Sequence, residues 1–178
     1  MNDSGPLGRI VEEVEYLLAR RRYLAQERPR LEVVHGYHQP GTICLPGETI
    51  EQCLLRFQDR EVPIHLSEPA TMVCDCIARH HHTPLSIARM ERILVNDPFY
   101  RRLGAHGFER IDEMPTFTRA SLRVYIARLR EQIAKALRKG GSMLSPEEAL
   151  VSEPTDSNQI LHRIALPVAV VHRTMKLM

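Results

Sequence analysis

The segment from Thr118 to Gly141 constrains the fold of this chain more than any other segment does. Its apolar residues recur every three or four positions, which is the pattern of a helix with one buried side. Thr118 is a residue type that caps helix N-termini, and Gly140 and Gly141 form a strong stop signal. The pattern therefore predicts one helix from about Thr118 to Arg138, whose buried stripe consists of Leu122, Ile126, Leu129, Ile133 and Leu137.

The predicted helix carries most of the positive charge of the chain. Seven of the 21 residues from Arg119 to Lys139 are Lys or Arg, and only Glu131 is acidic. The whole chain has a formal net charge of +2, so with +6 on this segment the remaining residues sum to −4. Such a local excess favours one anion-binding face over general attraction to polyanions. The other interpretation, a solvated helix with a chance surplus of charge, stays open at this point.

Composition and the cysteines favour a cytoplasmic protein without a membrane segment. No apolar run approaches the roughly 20 residues that a transmembrane helix needs. The first ten residues lack the basic and apolar regions of a secretory signal. The four cysteines are expected to be reduced thiols, because a chain of 178 residues does not need disulfides to support a core.

A helix is predicted near the N-terminus, over residues 7–28, with Pro29 as its stop. Its apolar residues alternate at spacings of three and four, with Arg21 in the remaining position of the repeat. Two interpretations remain open: the stripe packs on its own domain, or it pairs with a second copy as a dimerisation helix. The stripe consists of Leu7, Ile10, Val14, Leu17 and Leu24.

Between residues 31 and 66 the pattern is typical of short strands. Residues 31–35 and 42–45 are predicted strands. Apolar and polar residues alternate on both sides of the turn "QDRE" at 58–61, which predicts a hairpin with two half-buried strands. Pro63 has no N–H to donate, so the second strand is expected at a sheet edge.

Two short helices, a long loop and a second hairpin complete the predicted order. Ser67 is the expected N-cap of the first helix, and "LSIARMERILVND" forms the second, ended by Pro98. A loop spans Asn96 to Phe117, a length at which loops are often functional. The segment "ALVSEPTDSNQILHRI", residues 149–164, predicts a hairpin with its turn at 155–158, and 168–171 add one more strand.

Neither a metal site nor a catalytic site is expected. In "CDCIARHHH", Cys74 and Cys76 are two residues apart on a helix and therefore point about 200° apart. A polar turn between two helices is the favoured interpretation of the three histidines that follow. The sequence contains no G-x-S-x-G, no H-E-x-x-H and no phosphate-binding glycine loop, so we expect no enzyme activity and no cofactor.

Three stretches resemble the winged helix-turn-helix DNA-binding domain of the OmpR/PhoB type, the output domain of many bacterial response regulators. They are "LRFQDREVPIHLSEPATMVCDCIARHHHTPLS", "LRVYIARLREQI" and "ALVSEPTDSNQILHRI". The resemblance covers about residues 31–172. It implies an α+β fold with a small N-terminal antiparallel sheet, a three-helix core and a C-terminal β-hairpin wing. The helix that the residue pattern predicts at the N-terminus would precede this domain. The expected domains are 1–29, an amphipathic helix, and 30–178, the winged helix.

The chain departs from the family pattern in several places. The residues before position 29 are too few for a receiver domain, so receiver phosphorylation is not expected to control this chain. The glycine-rich wing tip is replaced by "EPTDSN", and Glu131 and Gln132 occupy basic positions. The loop from Asn96 to Phe117 is longer than usual. These departures leave the target DNA sequence open.

The resemblance implies a bacterial transcription regulator that binds double-stranded DNA. Together with the cysteines and the N-terminal stripe, it predicts a cytoplasmic protein that binds as a homodimer. The long helix would enter the major groove while the wing reaches the adjacent minor groove. The alternative function is a winged-helix adaptor that binds another regulator or RNA polymerase, with 96–117 as a contact. The residues implied to face DNA are Arg119, Arg123, Tyr125, Ala127, Arg128, Arg130, Lys135, Thr155, Ser157, Asn158 and Arg163.

Overall fold

This computed structural model describes residues 5–26, 28–38, 47–100 and 117–172, except for the side chains of 21–26, 37–38 and 47–49. None of the helices in these residues combines the length and the apolar composition that crossing a membrane requires. The chain is α+β, with two small sheets and a helical core. The helices are α1 Pro6–Gln26, α2 Glu68–Arg79, α3 Ile87–Asn96, α4 Arg119–Lys139 and α5 Pro146–Ala149, and the strands are β1 Arg30–His38, β2 Gly47–Arg56, β3 Glu61–Ile64, β4 Leu85–Ser86, β5 Leu150–Pro154, β6 Ile160–Ile164 and β7 Val168–His172.

The first sheet has four strands in the order β3-β2-β1-β7. The hairpin predicted around "QDRE" is confirmed as β2 and β3, which pair antiparallel with Arg56 opposite Glu61. Val62 and Ile64 are buried, whereas Pro63 is exposed on the edge strand, as its missing N–H requires. The predicted strand at 42–45 lies outside the described residues, and β2 begins at Gly47.

The expectation of a purely N-terminal antiparallel sheet is wrong, because β7 joins this sheet from the other end of the chain. It runs parallel to β1, with Leu31 opposite Val168 and His35 opposite His172. The Leu31 N–H also donates to Pro167 O, at 2.8 Å. The run "VAVVH" predicts a strand, but a parallel partner needs a long crossover connection that local pattern does not reveal.

The second sheet has three strands in the order β4-β6-β5. The predicted hairpin is confirmed as β5 and β6, which pair antiparallel from Leu150–Ile164 to Pro154–Ile160. Its turn places Asn158 at a φ of 57°, a left-handed conformation that Asn tolerates better than most residues. The short strand β4, between α2 and α3, pairs with β6 and thereby fixes the hairpin against the helices.

The core lies between α2, α3 and α4, the first sheet and the base of the hairpin. Each element contributes the apolar face that its period predicts. In α3, Met90 and Leu94 are buried and Ile87 is half-buried. All five predicted stripe residues of α4 are buried, as are Ala70, Val73, Cys74 and Ile77 of α2.

Both ends of α4 are fixed by side chains. Thr118 Oγ1 accepts a hydrogen bond from Ser121 N at 3.1 Å, and Ser121 Oγ accepts one from Thr118 N at 2.8 Å, so each group satisfies a free amide of the first turn. At the other end, Arg60 donates to Gly140 O at 2.6 Å. A Cβ on Gly140 would overlap the ring of Phe57, so glycine lets α4 end against the β2–β3 turn.

The apolar stripe of α1 is exposed along its described part. The exposed fractions of Leu7, Ile10, Val14 and Leu17 lie between 49% and 79%. The interpretation in which this stripe packs on its own domain therefore finds no support in the part of the chain that the structure describes. Leu24, the fifth residue of the predicted stripe, has a side chain outside the described set.

Candidate nucleic-acid interface

The exposed side of α4 carries small side chains with an arginine on each flank. Ala120, Val124 and Ala127 are exposed along the middle of this side. At about 100° per residue, Arg123 and Arg128 fall on opposite flanks. Both are exposed, and neither guanidinium forms a hydrogen bond or ion pair with another described residue. These five residues form the α4 ridge, a narrow surface with two cations that have no partner in the described part of the chain.

Two more cations of α4 lie in exposed ion pairs. Arg119 Nε is 3.4 Å from Glu91 Oε2 of α3, and Lys135 Nζ is 3.3 Å from Glu131 Oε1 one turn earlier. Exposed pairs of this kind contribute about 0–1 kcal/mol to stability. A phosphate approaching α4 could therefore displace either carboxylate at little cost.

Arg130 faces the hairpin rather than solvent, which differs from the role implied for it as a DNA contact. Its Nη2 donates to Ser152 Oγ of β5 at 2.5 Å, and the same oxygen lies 2.7 Å from His162 Nδ1 of β6. Arg130 is half-buried, on the side of α4 that faces β5. This bridge from helix to hairpin makes Arg130 a positioning residue, which holds the hairpin beside α4.

His162, at the buried end of this bridge, has a lowered pKa. The imidazole is almost entirely buried, and among the described residues its Nε2 has no hydrogen-bond partner, as is also true of Arg130 Nε. Burial disfavours the charged imidazolium, and the nearby Arg130 guanidinium adds like-charge repulsion, so the pKa of His162 lies below its ordinary value. His162 is therefore neutral in the folded chain at pH 7.

The lowered pKa of His162 predicts a pH-dependent stability. As pH falls through 6.5, the unfolded chain takes up a proton at this histidine while the folded chain resists it. The free energy of unfolding should therefore fall on acidification, and His162→Gln should make that fall shallower. Urea unfolding at a series of pH values measures both slopes. The exposed His65→Gln is the control, and equal slopes for His162→Gln and the wild-type chain would contradict the assignment.

The tip of the β5–β6 hairpin presents polar groups, of which Asp156 is the charged one. The Thr155 hydroxyl donates to Gln159 O at 3.0 Å and lies 3.1 Å from Ser157 Oγ, so Thr155 is engaged in the turn itself. Ser157 and Asn158 are exposed. Arg163, half-buried on β6, lies 4.0 Å from Glu153. Of the four implied hairpin residues, Ser157 and Asn158 are the ones placed to meet a ligand.

Tyr125 is held more firmly than a surface contact residue. Its ring is half-buried and packs edge-on against Phe117, with centroids 6.2 Å apart. Phe117 is buried just before the N-cap of α4. Tyr125 thus anchors the entry to the helix, and a phosphate contact through its hydroxyl stays a prediction.

A buried polar cluster, which the sequence reasoning did not find, lies on the other side of the core. Asp75 of α2 is fully buried and accepts three hydrogen bonds or ion pairs: from His35 at 2.7 Å, from the Tyr100 hydroxyl at 2.7 Å and from Arg79 Nε at 2.9 Å. Arg79 Nη2 also lies 3.3 Å from His35 Nδ1. Because arginine can only donate, Nδ1 is the acceptor and the proton sits on Nε2, facing Asp75.

Aromatic contacts extend this cluster across four parts of the chain. The Arg79 guanidinium lies 3.9 Å from the centroid of the Phe99 ring, and His35 stacks on the same ring at 5.7 Å. His172 of β7 meets His35 edge-on at 5.3 Å. Burial, followed by the charge of Asp75, raises the pKa of Tyr100 well above its ordinary value. The cluster joins β1, α2, the helical residues 98–100 and β7, and the burial of Asp75, His35 and Tyr100 indicates a structural role.

A signal for this cluster was present in the sequence. Asp75 interrupts "MVCDCIA", a run whose seven residues are all buried in α2. A carboxylate in such a run needs charged or hydrogen-bonding partners, because an unpaired buried charge is very costly. The informative signal in this stretch is therefore the need of Asp75 for partners, rather than metal binding by the two cysteines beside it.

Cys74 and Cys76 are both buried, and burial raises the pKa of Cys76 to about 12. Within the described ranges, no group of three or more His, Cys, Asp and Glu residues is arranged to hold a metal ion. The exposed α4 ridge, with the hairpin beside it, is the candidate interface. Comparison of the chain with protein-family models, with curated proteins and with solved structures gives no match.

Proposed function

We propose that this chain is a sequence-specific double-stranded DNA-binding regulator of transcription with a winged helix-turn-helix domain. The observation that carries the proposal is the α4 ridge, whose two arginines have no partner among the described residues, beside a hairpin anchored by Arg130. The rest of the structure gives α4 an apolar face, two fixed ends and a rigid neighbour. Such a helix can present side chains to a groove without loss of fold stability.

The order and pairing of the elements support this architecture. The helices α2, α3 and α4 form the core. In the proposed architecture, α3 and α4 would be the helix-turn-helix pair and the β5–β6 hairpin would be the wing. The pairing of β4 with β6 joins the hairpin to the α2–α3 connection. The wing would therefore move with the helices as one body when the domain meets a duplex.

The dimensions and chemistry of α4 suit a DNA major groove. That groove is about 12 Å wide and admits one α-helix, and Arg can grip a guanine edge or a phosphate with two donors. The small side chains of Ala120 and Ala127 would let the helix backbone come close to the groove, with Arg123 and Arg128 on either side. Arg119 and Lys135 would neutralise phosphates after releasing their carboxylate partners.

The hairpin would contribute less charge than the helix. Ser157 and Asn158 can donate to sugar or phosphate oxygens, but Glu153 and Asp156 add negative charge near the tip. We therefore expect α4 to supply most of the affinity, and the hairpin to supply orientation. This division is consistent with the acidic balance of the chain outside α4.

A salt series with random duplex DNA tests the proposal. With about five phosphates neutralised, the logarithm of the binding constant should fall against the logarithm of salt concentration with a slope of roughly −4 to −5. Electrophoretic mobility shift at several salt concentrations measures that slope. Absence of binding even at low salt would overturn the proposal and favour the adaptor function, in which the arginines of α4 dock on an acidic protein.

A further inference from the structure

α1 presents a wide apolar face that the described part of the chain leaves exposed. In the heptad repeat, Leu7 and Val14 occupy position a, Ile10 and Leu17 occupy d, and a second row follows at e. The exposed fractions of these side chains lie between 47% and 79%. A helix with three apolar positions per heptad normally packs on a partner. The apolar set consists of Leu7, Ile10, Val11, Val14, Leu17 and Leu18.

Charge is distributed unevenly along the same helix. Three glutamates lie between residues 12 and 15, with Arg9 the one cation in that half. Three consecutive arginines follow at residues 20–22. The two halves of α1 are thus oppositely charged, and this pattern decides which orientation of partner it can accept.

We propose that α1 pairs with α1 of a second copy of the chain in antiparallel orientation. The register that centres the stripe places Val14 against Leu17 of the partner subunit. In that register the flanking g positions bring Glu13 across from Arg20 of the partner subunit, and the two-fold symmetry forms this ion pair twice. The e positions bring Val11 across from Leu18 of the partner subunit, which widens the apolar seam.

A parallel pair would be much less favourable. Position 21 would then face itself across the seam, so two arginines would meet in the apolar layer. The acidic halves would lie together, as would the basic halves, and Glu13 would lie across from Leu18 rather than from a cation. Charge complementarity along α1 therefore favours a second copy of α1 as the partner helix, in antiparallel orientation.

The antiparallel pair fixes how far apart the two domains that follow α1 are attached. The spacing of the DNA target inferred from it rests on the proposed function. Each domain joins its helix near Pro29, so the two attachment points lie at opposite ends of the rod. A helix of 21 residues is about 31 Å long. That length is close to the 34–36 Å between half-sites one helical turn apart. With a two-fold axis across the rod, the target should be an inverted repeat with that spacing.

Charge exchange between Glu13 and Arg20 tests the pairing on the full chain. In either Glu13→Arg or Arg20→Glu alone, both ion pairs become like-charge contacts, and the dimer dissociation constant should rise about tenfold. An equimolar mixture of the two variants should restore the dimer, because each mutated residue then meets an opposite charge. Glu12→Arg, at the outward position f beside Glu13, is the matched control and should dimerise as the wild-type chain does.

Sedimentation velocity across a dilution series, without DNA, measures whether the wild-type chain, each variant and the mixture are monomers or dimers. A wild-type chain that stays monomeric at every concentration overturns the proposal, and so does a mixture that fails to recover the dimer. A dimer that shows the rescue but binds no duplex leaves the antiparallel pair standing and overturns the proposed function. A monomer that binds duplex with the expected salt slope overturns the antiparallel pair and leaves the proposed function standing.

Discussion

The Arg128→Ala variant is expected to bind its duplex target about tenfold to a hundredfold more weakly than the wild-type chain, since one good bidentate contact contributes about 1–3 kcal/mol. Arg128 is exposed and has no partner among the described residues, so its removal should leave stability unchanged. Fluorescence anisotropy titration measures the affinity, and thermal unfolding of the same sample measures the stability.

The matched control for this prediction is Arg138→Ala. Arg138 is an exposed arginine on the same helix, ten residues nearer the C-terminus and therefore about 15 Å along the axis from Arg128. A general loss of positive charge would weaken binding equally in both variants. Equal losses, or unchanged affinity for Arg128→Ala, would show that the α4 ridge does not enter the groove as proposed.

The largest effect on stability is expected from Asp75→Ala. Asp75 is the common acceptor of His35, Tyr100 and Arg79, all packed in or beside the core. Removing one member of such a buried pair costs about 3–5 kcal/mol, because the remaining charge and donors stay buried without partners. The free energy of unfolding in urea measures this cost.

Two further variants make the Asp75 prediction sharper. Asp59→Ala removes an exposed carboxylate in the β2–β3 turn and should change stability by about 0.5 kcal/mol or less. If Asp75→Ala does not fold, Tyr100→Phe gives a graded measurement, with an expected cost of about 1–3 kcal/mol for the buried acceptor that loses one donor. A cost for Asp75→Ala no larger than that for Asp59→Ala would mean that the polar cluster does not hold the sheet to α2.

The parts of the fold that depend on local pattern could be predicted from the sequence. The period of the α4 stripe, the cap at Thr118 and the stop at Gly140 each act within a few residues. The two hairpins likewise follow from alternation and turn residues. The pairing of β7 with β1, and of β4 with β6, joins residues far apart in the chain, and no local preference specifies such partners.

In the candidate site too, local pattern predicts some features, while others depend on contacts between residues far apart in the chain. Helical period alone indicates that Arg123 and Arg128 face solvent. Arg130 lies seven residues after Arg123, on nearly the same side of α4, so period could not separate their roles. The two roles differ because Ser152 lies on β5, where its hydroxyl can accept a hydrogen bond from Arg130. The cluster around Asp75 could likewise not be predicted, because its partners come from β1, the end of α2 and the helical residues 98–100.

The parallel pairing of β7 with β1 sets an order of events during biosynthesis. Leu31 and Val33 emerge from the ribosome long before Val168 and Val170, their neighbours in the sheet. Until β7 arrives, one edge of β1 keeps unpaired backbone groups, and such an edge is a template for aggregation. A chain terminated just before Val168 should therefore accumulate as aggregates rather than as a slightly shortened folded domain.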